Sequence, residues 1–169
     1  MNSPVPASAA SSAPVSLRPE RPGDEPLLYE VYASTREEEL ALTNWDERTR
    51  RAFLDMQYAA MRRGYGSRYP GGEFLVICRG EQAIGRLVLN RTSEEIRVVD
   101  LALLPARRNA GIGTLLMQRV CAEAARAGKR VGLSVLKNNR AIRWYERLGF
   151  AKCAEEGVYA EMEWVKRET

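Results

Sequence analysis

The sequence predicts one mixed α/β (α+β) domain, a central sheet with helices on its faces. Three observations predict it. The 169 residues are 45% hydrophobic, which marks a globular chain long enough to bury its own core. Between Glu73 and Pro105, apolar runs of strand length succeed one another as a meander. Beyond Pro105, helix and strand patterns alternate and close on a hairpin.

Taken in order, residues 1–13, "MNSPVPASAASSA", are uncharged and rich in Ser, Ala and Pro. They lack the basic and apolar regions of a signal peptide and read as a disordered tail, leaving 14–169 as the domain. A short strand is expected over Val15 to Pro19. "PGDEPLLYEVYASTREEELA" follows as a helix, with Asp24 as cap, Pro26 in its first turn, and Leu27, Leu28, Val31 and Tyr32 on one face. A second helix is expected from Asp46 to Arg63, with Phe53, Met56, Ala60 and Met61 toward the core and Gly64 as its stop. "EFLVICRGEQAIGRLVLNR" reads as two strands around a turn at Arg79 to Gln82, and "EIRVVDLALLP" as a further long strand. A helix from Gly111 to Ala127 carries Ile112, Leu115, Leu116 and Val120 on one face and is stopped by Gly128. A buried-type strand "RVGLSVLK", a short helix "NNRAIRWYERLG" and a hairpin turning near Glu156 and Gly157 complete the chain.

Composition excludes several kinds of chemistry. The net charge of +4 is interspersed, with no concentrated basic patch, so no nucleic-acid partner is expected. No apolar run approaches a membrane span, so no membrane partner is expected either. The three cysteines, Cys78, Cys121 and Cys153, are far apart, which indicates neither a disulfide framework nor a zinc site and suits the cytoplasm. There is no histidine. That removes Ser-His-Asp and Cys-His catalysis and every His-based metal site. No metal is expected, and any acid or base must be a carboxylate, Tyr, Lys or Cys.

The stretch "RRNAGIGTLL", Arg107 to Leu116, places Gly111 and Gly113 behind two arginines at a helix start. The first turn of a helix leaves N–H groups unpaired and carries partial positive charge, and glycines let an anion approach closely. Arg108 adds a charged fork. A lone G-x-G more often only shapes a turn. A dinucleotide fold needs a third glycine where Leu116 stands, and a P-loop needs G-x-x-x-x-G-K, which is absent. A pyrophosphate site of R-x-x-G-x-G type matches.

"LALLPARRNAGIGTLL" resembles the acetyl-CoA motif of the GCN5-related N-acetyltransferases, the GNAT superfamily, with Arg108, Gly111 and Gly113 as its core and Pro105 where that family often has proline. "LSVLKNNRAIRWYERLGF", Leu133 to Phe150, is similar to the family's second signature. The resemblance implies a mixed, mostly antiparallel sheet with splayed fourth and fifth strands, flanked by about four helices. It departs at Asn109 and Ala110, where the family often has Gly after the arginine; side chains this small are tolerable, and Asn accepts positive φ.

What the resemblance implies for chemistry is specific. Backbone groups of Leu101, Ala102 and Leu103 lie along the pantetheine arm, and the Leu103 N–H polarises the thioester. Arg108, Asn109, Ala110, Gly111, Ile112, Gly113 and Thr114 hold the pyrophosphate. Asn139, preferred over Asn138, bonds the arm, although two Asn before a helix also serve as caps. Tyr145 meets the coenzyme and protonates the departing thiolate. Where many members carry a strand-four Glu as general base, this chain has Arg97. Strict alternation puts Glu95, Arg97 and Leu103 on one face and Asp100 on the other. Asp100 reaches the substrate if the strand bulges. The expected activity is acetyl transfer from acetyl-CoA to a primary amine of a small molecule or peptide by direct attack, in a monomer or homodimer. The alternative is a non-catalytic acyl-CoA-binding sensor or scaffold.

Overall fold

The computed structural model describes residues 12–166. The tail expected over residues 1–13 falls outside them as far as residue 11. A seven-stranded sheet of order β1-β2-β3-β4-β5-β7-β6 forms the centre. Its strands are β1 (Val15–Pro19), β2 (Glu73–Arg79), β3 (Gln82–Arg91), β4 (Glu95–Leu103), β5 (Arg130–Leu136), β6 (Phe150–Glu156) and β7 (Tyr159–Trp164). Every neighbouring pair is antiparallel except β4 with β5. Five helices flank it: α1 (Glu25–Thr35), α2 (Glu37–Ala41), α3 (Glu47–Arg68), α4 (Ile112–Ala127) and α5 (Ala141–Arg147).

The two faces of the sheet bury different side chains. On one, Ile84, Leu87, Leu89, Ile96 and Val98 meet Ile112, Leu116, Met117 and Val120 of α4, with Trp144, Tyr145 and Leu148 of the α5 region packed against them. On the other, Val76 and Cys78 meet Leu28 and Tyr32 of α1 and Tyr58 of α3.

Four local expectations differ. The first predicted helix is two, because α1 ends at Thr35 and α2 restarts after Arg36. Asp24 precedes α1, but its side chain takes no N–H of that helix. Its carboxylate takes two nitrogens of Arg18, at 2.8 and 2.7 Å, and the Arg21 N–H at 2.7 Å. Asp46 does cap α3, accepting the Thr49 N–H at 2.7 Å. Gly64 does not stop α3, because it never enters the left-handed conformation of a helix stop. The helix runs to Arg68 and ends where Tyr69 precedes Pro70, a position that disfavours helical backbone. Its core face is Leu54, Tyr58 and Met61. Met56 is 58% exposed, and Phe53 meets Trp45 edge to face with ring centroids 5.1 Å apart.

Two irregularities in β4 create the site. Its pairing with β5 is confined to Glu95–Val98 against Arg130–Leu133. Beyond that point β4 continues to Leu103 and β5 to Leu136 as β5 turns to pair with β7. The two strands are thus splayed. On its other edge β4 carries a bulge: Val98 pairs with Leu89 and Asp100 with Val88, so Val99 is the extra residue. The bulge reverses the alternation downstream. Asp100 shares a face with Arg97, while Leu101 and Leu103 join the α4 core with Ile96 and Val98. Strict alternation placed Leu103 with Arg97 and Asp100 opposite; the bulge overturns that placement.

Candidate active site

At the mouth of the splay, α4 opens on Gly111, which has φ +80° and ψ 3°. That left-handed conformation turns the chain from the Pro105–Arg107 turn into the helix axis. The first helical bond is Leu115 N–H to Gly111 C=O at 3.0 Å, so the N–H groups of Ile112, Gly113 and Thr114 precede the ladder and have no helical acceptor. A Cβ built on Gly111 meets nothing within 4 Å, so the space before these groups is open. Gly113 has a different task. A Cβ there would sit 3.3 Å from the Trp144 ring, whose Nε1–H donates to Thr114 Oγ1 at 3.0 Å. The first turn of α4 is thereby clamped to α5. Asn109, at φ +60°, is the one non-glycine with positive φ among the described residues, and Ala110 is exposed beside it. Arg108 is turned back: its Nε donates to the Leu103 carbonyl at 3.0 Å and its Nη2 to Ser34 Oγ at 2.9 Å. In this conformation it ties the loop to β4 and α1.

Within the splay, the Leu104 N–H donates to Ile84 C=O at 2.9 Å. Since successive strand residues point their N–H groups to opposite edges, the Leu103 N–H faces the gap. The side chains of Leu101 and Leu103 pack in the core and Ala102 is buried, so side chains and backbone serve separate ends.

Asp100 lies at the start of the splay on the α1/α3 face. Arg86 of β3 holds it by Nε and Nη2, both 2.7 Å from Oδ2. Tyr65 of α3 approaches the same carboxylate. Burial, and then the charge of Asp100, push the Tyr65 hydroxyl well above the ordinary phenol range. Tyr145 sits on the opposite face, its ring 4.8 Å from Trp144 and 5.8 Å from Phe150. Burial, with Asp100 adding to it, pushes its pKa up to about 12. A carboxylate and a protonated phenol thus flank the gap from its two faces.

Farther down the same sheet face, Arg97 donates at 2.6 Å to both Ser134 Oγ and Glu161 Oε2, and its Nη1 lies 3.6 Å from Glu95. Burial opposes the Glu161 charge, but Arg97 and Ser134 outweigh it and lower its pKa. Arg97 and Glu95 are thus one ion network. Asn139 Oδ1 accepts the Ala141 N–H at 2.8 Å, an Asx turn that leads into α5. A cavity of about 1120 Å³ between α1, α2 and α3 is lined by Ala33, Leu40, Arg50 and Leu54 and by none of the residues at the gap.

Arg86, Tyr65 and Glu161 are the site residues that the sequence did not single out. Arg86 had a signal, a lone charge inside the apolar run "IGRLVL". Tyr65, directly after the Gly64 read as a helix stop, had none.

A sheet split between its fourth and fifth strands, with a glycine-opened helix at the mouth of the split, defines the GNAT architecture. A family model described as an acetyltransferase (GNAT) domain matches residues 70–152. Over that segment the chain carries a GNAT acetyltransferase domain, and the acyl donor of such a domain is acetyl-coenzyme A. Among solved structures, the PaiA N-acetyltransferase of Thermoplasma acidophilum, in complex with coenzyme A, superposes with a TM-score of 0.67 at 18% identity, over 89% of this chain and 98% of that one. A GCN5-related N-acetyltransferase of Rhodopseudomonas palustris gives 0.63 at 18%, over 90% and 96%. An acetyltransferase of Thermus thermophilus gives 0.61 at 20%, over 88% and 95%. These likenesses are of fold. No curated protein matches by sequence.

Proposed function

We propose that the protein moves the acetyl group of acetyl-CoA to a primary amine of a small molecule or peptide by direct attack. The observation that carries the reading is the meeting of Asp100 and Tyr145 across the splay, one on each face. When bound, acetyl-CoA supplies the activated acyl group. The open space before Gly111 and the unpaired N–H groups of Ile112, Gly113 and Thr114 suit its pyrophosphate. The loop of Arg108, Asn109 and Ala110 shapes that cradle.

The remaining roles fall to the gap. The Leu103 N–H polarises the acyl carbonyl, a preorganised donor where negative charge develops. Asp100, its Oδ2 fixed by Arg86, presents its other oxygen to the incoming ammonium and takes its proton. Tyr145, held protonated by burial and by Asp100, gives its proton to the leaving thiolate. Asn139 spends Oδ1 on its turn, so its side-chain N–H group is what can reach the pantetheine arm.

One observation favours a second reading. Arg97 occupies the strand position where many relatives carry a Glu, and it is already ion-paired with Glu161. That leaves a non-catalytic acyl-CoA-binding module. Release of free coenzyme A, measured against a panel of amines, separates the two: turnover with any amine supports the enzyme, and binding without turnover leaves the module. The free thiols of Cys78, Cys121 and Cys153 suit the cytoplasm. No helix among the described residues is long and apolar enough to cross a membrane.

A further inference from the structure

Beside Asp100 lie two buried polar groups that no hydrogen bond among the described residues satisfies. Arg86 is 6% exposed and Tyr32 3%. Arg86 spends Nε and Nη2 on Asp100, while its Nη1 is buried without a hydrogen-bond partner among the described residues. The Tyr32 hydroxyl is in the same state. The two belong to one cluster, since the Arg86 guanidinium carbon lies 5.7 Å from the centre of the Tyr32 ring. Arg36 lies 5.5 Å from the same ring. Leaving a buried donor unmet is unfavourable, and proteins seldom do so without use. Arg86 Nη1 can only donate, the Tyr32 hydroxyl has a proton to donate, and the charges around the ring are positive. What they are built to meet is an oxygen.

The neighbouring carboxylate suits the opposite partner. If Asp100 receives the acceptor's ammonium, as the function proposed above has it, the oxygen belongs to the same molecule and sits close to its nitrogen. We propose that the acceptor is an α-aminoacyl compound, whose amine meets Asp100 and whose adjacent carboxylate or carbonyl oxygen meets Arg86 Nη1 and the Tyr32 hydroxyl. A free amino acid and the first residue of a peptide share that unit. Plain alkylamines and polyamines lack it. A site built this way rejects them, because they bury its donors unpaired.

Initial rates of coenzyme A release are compared for free amino acids, amino-acid amides, dipeptides and alkylamines of matched size, with wild-type protein and Tyr32→Phe. The expected result is a kcat/KM for α-aminoacyl acceptors at least about tenfold above that for the matched alkylamines, with that ratio falling about tenfold in Tyr32→Phe. Whether free acids or amides and dipeptides lead identifies the source of the oxygen. Thermal unfolding of the two proteins is the control. A hydroxyl that is merely a buried orphan predicts that Tyr32→Phe raises the unfolding temperature and leaves the ratio untouched. That result, or alkylamines used as well as amino acids by the wild type, overturns the inference while the acetyltransferase reading stands. No turnover with any amine overturns the acetyltransferase reading and this inference with it.

Discussion

Replacing Tyr145 by Phe removes one oxygen and keeps the ring that contacts Trp144 and Phe150 at 4.8 and 5.8 Å. Packing is preserved, so the perturbation falls on proton donation alone. A general acid contributes typically about 10²–10⁴-fold, equivalent to roughly 3–5 kcal/mol of barrier. That is the expected loss of kcat, with coenzyme affinity unchanged. The structure adds a pH signature. An ordinary phenol is about half ionised at pH 10, whereas a phenol whose pKa is pushed up to about 12 is only about 1% ionised there. The wild-type enzyme therefore keeps its acid through pH 10. The assay is coenzyme A release followed from pH 7 to 10.5, with a single-turnover measurement to show that chemistry limits the rate. A wild-type kcat in Tyr145→Phe under those conditions refutes the assignment. A fall in acetyl-CoA affinity proportional to the fall in rate makes Tyr145 a binding residue instead.

Gly111→Val puts a β-branched side chain at φ +80° and into the open space before α4; acetyl-CoA titration calorimetry on the folded variant is expected to show a large loss of affinity, and unchanged affinity removes the pyrophosphate from this loop. Arg108→Ala is expected to cost less, because its guanidinium is engaged by Leu103 and Ser34. Trp144→Phe loses the Nε1–H bond to Thr114 and loosens the clamp on the first turn of α4; about a tenfold weaker acetyl-CoA dissociation constant is expected by the same titration. Asp24 is held at about 2, below its ordinary 3.8, by the Arg18 hydrogen bonds first and the Arg21 N–H next, both opposing burial. A depressed carboxylate stabilises the fold above its unfolded pKa and ceases to as pH falls through the folded one. Denaturant unfolding is expected to show about 2 kcal/mol at pH 7 that disappears between about pH 4 and pH 2, and that Asp24→Asn lacks at every pH.

Features fixed by local chemistry were legible in the sequence. The Gly111–Gly113 helix start, the Arg79–Gln82 turn and the helix start at Asp46 depend on residues within a few positions, and all stand where expected. Features fixed by distant partners were not. Asp24 has the right residue type for a cap, yet Arg18 claims it. Gly64 has the right type for a stop, yet α3 continues until Pro70 intervenes. The Asp100 side chain could be aimed only once Val99 was known to be extra, and "EIRVVDLAL" carries no Gly or Pro to announce a bulge. Arg86, the residue that fixes Asp100, comes from a neighbouring strand, a pairing that follows from the sheet register.

The bulge gives β4 one residue to spare. Deleting Val99, which has no part in the proposed chemistry, would close the bulge with no side chain changing face: Val98 stays against Leu89 and Asp100 against Val88. Deleting Asp100 instead would put Val99 in its place, with the same pairing on both sides and the carboxylate gone. A single-codon loss here is absorbed by the fold and felt only by the site. The same offset governs comparison with other sequences. An alignment that runs through this strand without a gap pairs residues of opposite facing on one side of Val99, so a carboxylate counted as missing at Arg97 can be present three positions on.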